Sequence, residues 1–69
     1  MTLTLEELAD ITPEEEAVCR AICIADDCDP DAESVGLGHI MPADHRYKLW
    51  QARLRQARAA IAAIRKTTP

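Results

Sequence analysis

Three cysteines and two histidines are the side chains here with the most chemistry to offer: Cys19, Cys23, Cys28, His39 and His45. A structural zinc ion takes four thiolate or imidazole ligands tetrahedrally, usually from Cys pairs two to four residues apart. Cys19 and Cys23 stand one helical turn apart, Cys23 and Cys28 are separated by four residues, and the histidines by five, with no CxxC or HxxxH. That spacing argues against a metal site. It favours Cys23 as a small core hydrophobe, with Cys19 or Cys28 half exposed. A nucleophilic thiolate needs a positive neighbourhood, and carboxylates crowd these positions. Calcium fares no better. Placing Asp27, Asp29 and Asp31 at positions 1, 3 and 5 of an EF-hand loop puts Ala32 where the turn needs Gly and Gly38 where the bidentate Glu must stand. No catalytic residue, metal or cofactor is expected.

Charge carries more information. Residues 1–44 hold all twelve acidic side chains and one basic one, Arg20, while residues 45–69 hold the other seven cations and no acid. The net −4 thus hides a strong dipolar split. One outcome is that the halves pack together and neutralise each other. The other is an acidic surface able to occupy a site on a partner, through Asp10, Glu14, Glu16, Asp26, Asp27, Asp29, Asp31 and Glu33, with fast and salt-sensitive association. A basic C-terminal helix also suggests nucleic-acid binding, by counterion release from clustered cations. Against it, Arg46, Lys48, Arg53, Arg55 and Arg58 point several ways around a helix, and the pI of about 4.9 is acidic.

Sixty-nine residues make one small domain, 1–69, with hardly enough chain to wall a deep catalytic cleft. No apolar run of 18 residues predicts no membrane span, and no basic-then-apolar leader predicts no secretory signal. With an odd cysteine count, this points to a reducing cytoplasm. Twelve alanines, two glycines and no Phe favour helices over strands.

The elements follow from local signals. Thr4 with Glu7 forms a capping box ahead of a helix over about 5–10. Thr12-Pro13-Glu14-Glu15 repeats the signal for a helix over 13–25, whose inward stripe is Val18, Ile22 and Ala25. From 26 to 41 runs an acidic loop of turn formers, Pro30, Gly36 and Gly38, with Val35, Leu37, Ile40 and Met41 expected to tuck against the helices. After Pro42, the residues Tyr47, Trp50, Leu54, Ala57, Ile61 and Ile64 fall at alternating spacings of three and four. This is a seam that predicts a helix over 43–65, closed by Thr67-Thr68-Pro69. Such a helix is too long for the 13–25 helix to cover, which leaves its seam as core or as a homodimer interface. The expected fold is all-α: a helical hairpin with a short N-terminal and a long C-terminal helix, paired with a second copy.

Over about residues 18–64 the chain resembles short phage and prophage accessory proteins. The likeness rests on Ala21-Ile22-Cys23, Asp29-Pro30-Asp31, Trp50 and the run Ala57-Arg58-Ala59-Ala60-Ile61. The resemblance implies a bacteriophage origin, the cytoplasm of a bacterial host, and a role in blocking a host system. Anti-CRISPR proteins are similar in being small, acidic and free of recognisable catalytic motifs. The resemblance carries over no functional residues. The expectation is a non-enzymatic inhibitor that binds a host bacterial protein, such as a CRISPR effector, through an acidic surface. The alternative is a nucleic-acid-binding regulator that uses the basic C-terminal helix.

Overall fold

The computed structural model describes residues 2–67. Two of the expected helices form where their caps direct. Helix α1 spans Leu5–Ala9 and α2 spans Pro13–Ala25. In each, the threonine hydroxyl accepts an amide N–H and the glutamate three residues on answers the threonine amide: Thr4 with Glu7 at 3.1 and 3.2 Å, Thr12 with Glu15 at 3.1 and 2.9 Å.

The all-α hairpin is overturned in the second half. Strand β1 (Glu33–Val35) pairs antiparallel with β2 (Arg46–Lys48), a 3-10 helix covers Leu49–Arg53, and α3 runs only over Leu54–Thr67. The helix expected over 43–65 is therefore three different structures in succession. The reason lies in backbone geometry around residues 36–45. Asp44 adopts φ +61, the left-handed region that interrupts any right-handed helix. Its N–H donates to the Gly36 carbonyl at 2.9 Å, while the Gly36 N–H donates to the His45 carbonyl at 2.8 Å. Gly36 is essential to this crossing, because a Cβ there would stand 1.9 Å from the Pro42 carbonyl oxygen. In the ladder Ser34 faces Tyr47, with Glu33 opposite Lys48 and Val35 opposite Arg46. Ser34 and Tyr47 turn their side chains partly inward and the other four stay exposed.

The proposed seam is redistributed accordingly. Tyr47 sits half-buried on β2, Trp50 is buried in the 3-10 helix, and Leu54 and Ala57 are buried on α3. Ile61 is half-buried and Ile64 is 63% exposed, so the stripe leaves the core before α3 ends. With α3 only 14 residues long and α2 13, the length mismatch that suggested a second copy disappears. The expected stop at Thr68 and Pro69 lies outside the described residues.

The core consists of Leu3, Cys19, Cys23, Met41, Trp50, Leu54 and Ala57. Helix α2 supplies the two cysteines and packs on both the 3-10 helix and α3. Its outer side keeps Ala17, Ala21, Ile24 and Ala25 exposed, so Ala25 is not the inward residue its spacing suggested. Leu3 enters from the N-terminal segment, where its N–H donates to the Ile40 carbonyl at 2.8 Å and the Thr2 hydroxyl donates to the His39 carbonyl at 2.6 Å. Of the apolar loop residues only Met41 is buried. Val35, Leu37 and Ile40 face solvent, contrary to the expected tuck. Among the described residues no helix is long and apolar enough to cross a membrane.

Candidate functional site

The acidic half and the basic half meet, and the contact absorbs most of the cations. Arg58 Nε donates to Glu15 at 2.7 Å and Arg65 to Glu14 at 2.7 Å. Arg53 reaches Asp26 at 3.2 Å, and Arg55 reaches Glu7 at 3.4 Å. Arg20 bridges Glu16 and Asp31, both at 2.8 Å, and lies 5.5 Å above the Trp50 ring. Lys48 approaches Asp31 at 4.0 Å. Among the described residues Arg46 and Lys66 are the cations with no ion pair, one on β2 and one in the last turn of α3.

These contacts tune the carboxylates. The Arg58 guanidinium, with the Thr12 amide, holds Glu15 below its ordinary value. The Thr4 amide, with Arg55 beside it, does the same for Glu7, and Arg20 does so for Asp31. On the other side Arg58 is raised, chiefly by its hydrogen bond to Glu15.

The eight acidic residues singled out from sequence divide in half. Glu14, Glu16, Asp26 and Asp31 are held in ion pairs within the fold. Asp10, Asp27, Asp29 and Glu33 are exposed and form no ion pair among the described residues. They do not make one patch. Asp10 caps the C-terminus of α1, whereas Asp27 and Asp29 lie in the turn beyond α2, on the order of 20 Å away along a 13-residue helix. Glu6 and Asp44 are further exposed acids that charge counting alone passed over. Nothing in the spacing separates these from Glu7 and Glu15, which turn inward to the arginines.

The turn after α2 is the most distinctive acidic element. It closes the helix with a Schellman motif: the Asp27 N–H donates to the Ile24 carbonyl at 3.1 Å and the Cys28 N–H to the Cys23 carbonyl at 2.9 Å. Asp27 occupies the left-handed position at φ +57, where Gly is the unstrained residue. The Asp31 amide donates to the Asp29 carboxylate at 3.0 Å, which orders the next turn. Ile24, one turn before Asp27, is 63% exposed. Carboxylates at a helix C-terminus also oppose the helix dipole.

Cys23 and Cys28 lie at this same end of α2, with Cys19 one turn back along the helix. Cys19 and Cys23 are fully buried and Cys28 is half-buried. Burial pushes the Cys19 thiol up to about 11. Arg53 lies beside the Cys23 and Cys28 thiols as well as Asp26; burial works against its charge, but these neighbours outweigh that and raise its pKa. His39 is exposed and His45 half-buried in the loop before β2. Among the described residues no group of three or more His, Cys, Asp or Glu side chains converges as metal ligands would. The cavities are open grooves. One, of about 400 Å³, lies between the start of α2 and α3, walled by Thr12, Glu14, Glu15, Arg58, Ile61 and Arg65.

No protein-family model matches this chain, and neither curated proteins nor solved structures give a match.

Proposed function

We propose that this chain is a non-enzymatic protein-binding module of the phage accessory kind, which inhibits a bacterial host protein by docking onto a basic surface. A CRISPR effector, whose nucleic-acid channel is such a surface, is the candidate target. The turn carrying Asp27 and Asp29, with Ile24 beside it, is the docking element. One observation carries this reading. The cations are mostly engaged inside the fold, while these two carboxylates form no ion pair among the described residues, and Asp27 stands where local physics disfavours a carboxylate. Asp27 sits in left-handed backbone, and its carboxylate opposes the α2 dipole. Sequences tend to break local rules where function needs the residue. Engagement of the arginines also weakens the case for a nucleic-acid regulator, since six of the eight cations, Arg20, Lys48, Arg53, Arg55, Arg58 and Arg65, already face carboxylates.

The test is binding to purified CRISPR effectors by titration at low and moderate salt, beside a mobility-shift assay with DNA and RNA. The expected result is a complex that weakens steeply with salt and loses at least about tenfold in affinity on Asp27→Lys/Asp29→Lys. Equal binding by wild type and the charge-reversed protein overturns the docking element. Retention of nucleic acid with no effector bound returns the regulator reading.

A further inference from the structure

We propose that Cys23 and Cys28 form an oxidisable thiol pair, a modification site at which a hydroperoxide closes them into an intramolecular disulfide. The proposal stands on the geometry of the helix end and is independent of the docking reading. In the Schellman motif these two residues are the third-last helical residue and the second beyond the cap, positions whose side chains meet. Their backbones are joined by the 2.9 Å bond from the Cys28 N–H to the Cys23 carbonyl. One such bond keeps the two Cα atoms within the roughly 4.4–6.8 Å that a disulfide spans. Both thiols pack in one cluster and both lie beside the Arg53 guanidinium.

Access is asymmetric, and this sets the order of events. Cys28 is half-buried, with its Sγ 3.7 Å from the Asp26 carbonyl oxygen, whereas Cys23 is fully enclosed. The Cys28 thiolate attacks a peroxide oxygen, the O–O bond breaks, and water leaves after protonation, giving a sulfenic acid. The Cys23 thiolate then attacks that sulfur, the S–O bond breaks, and a second water departs. Two thiols lose two electrons and two protons, and one hydrogen peroxide becomes two waters. Cys19 stays out of the reaction. It is fully buried one turn back on α2, with no bond of this kind linking it to Cys28.

The experiment treats the folded full-length chain with hydrogen peroxide, alkylates it under denaturing conditions, and measures intact and peptide masses. The expected product is a monomer lighter by about 2 Da before alkylation, with one alkylated thiol at Cys19 and a Cys23–Cys28 peptide link. Cys19→Ala keeps that link and Cys28→Ser abolishes it. A link to Cys19, a covalent dimer as the main product, or Cys28 driven to sulfinic acid without pairing each overturns the proposal. Should Cys28→Ser fail to fold, the peptide map of the wild type and of Cys19→Ala decides alone.

Discussion

Asp27 shows how a single side chain can be worse for the fold than its alternatives and still define a surface. At φ +57 a residue with a Cβ is strained, and a carboxylate adds repulsion from the carbonyl end of α2. Asp27→Gly is therefore expected to stabilise the chain by about 0.5–1 kcal/mol in urea denaturation. The same substitution removes one charge that forms no ion pair among the described residues and is expected to weaken the proposed docking, so stability and binding are expected to move in opposite directions. A variant that becomes both more stable and a tighter binder contradicts the role given to Asp27. Arg53 plays the opposite part, since it gathers Asp26 and two thiols where the acidic turn meets the core.

At the scale of elements, the first third of the chain was legible because its signals are local. Each capping box needs only a threonine and a glutamate three residues apart, and both form. Thr12→Ala, which removes the hydroxyl receiving the Glu15 amide, is expected to cost about 1 kcal/mol in the same denaturation experiment. The β1–β2 pair was not legible. Its three-residue strands carry no periodicity, and their pairing depends on a crossing at Gly36 that is visible only in three dimensions. The regular spacing from Tyr47 to Ile64 then read as one helix, although Asp44 and the strand interrupt its start. Gly36→Ala tests that crossing. The added methyl must displace the Pro42 carbonyl, at an expected cost of about 1–3 kcal/mol and with amide signals of 33–35 and 46–48 losing protection in hydrogen exchange.

Across the whole molecule, composition correctly placed opposite charges in opposite halves, but it could not say which carboxylates would be used up in joining them. That depends on side-chain reach: Glu7 and Glu15 are lowered by backbone amides and arginines together, while Asp27 and Asp29 meet none of those cations. The pH dependence follows with a definite sign. Folded-state values of Glu7, Glu15 and Asp31 lie below their ordinary 4.5, 4.5 and 3.8, so their contribution is complete above those values and is lost as pH falls through the depressed ones. Tm is expected to hold level from pH 7 to about 5 and to decline below about 4.5. A Tm that rises on acidification would mean that repulsion among the surplus acids outweighs these pairs.

Leu3 also has a practical bearing on how the protein can be handled. Because that side chain is 2% exposed and its amide is tied to the loop at Ile40, anything fused ahead of it emerges directly beside a wall of the core. The exposed final turns of α3 offer the safer place for an affinity handle, and immobilisation from that end leaves the turn at Asp27 and Asp29 open for the proposed docking.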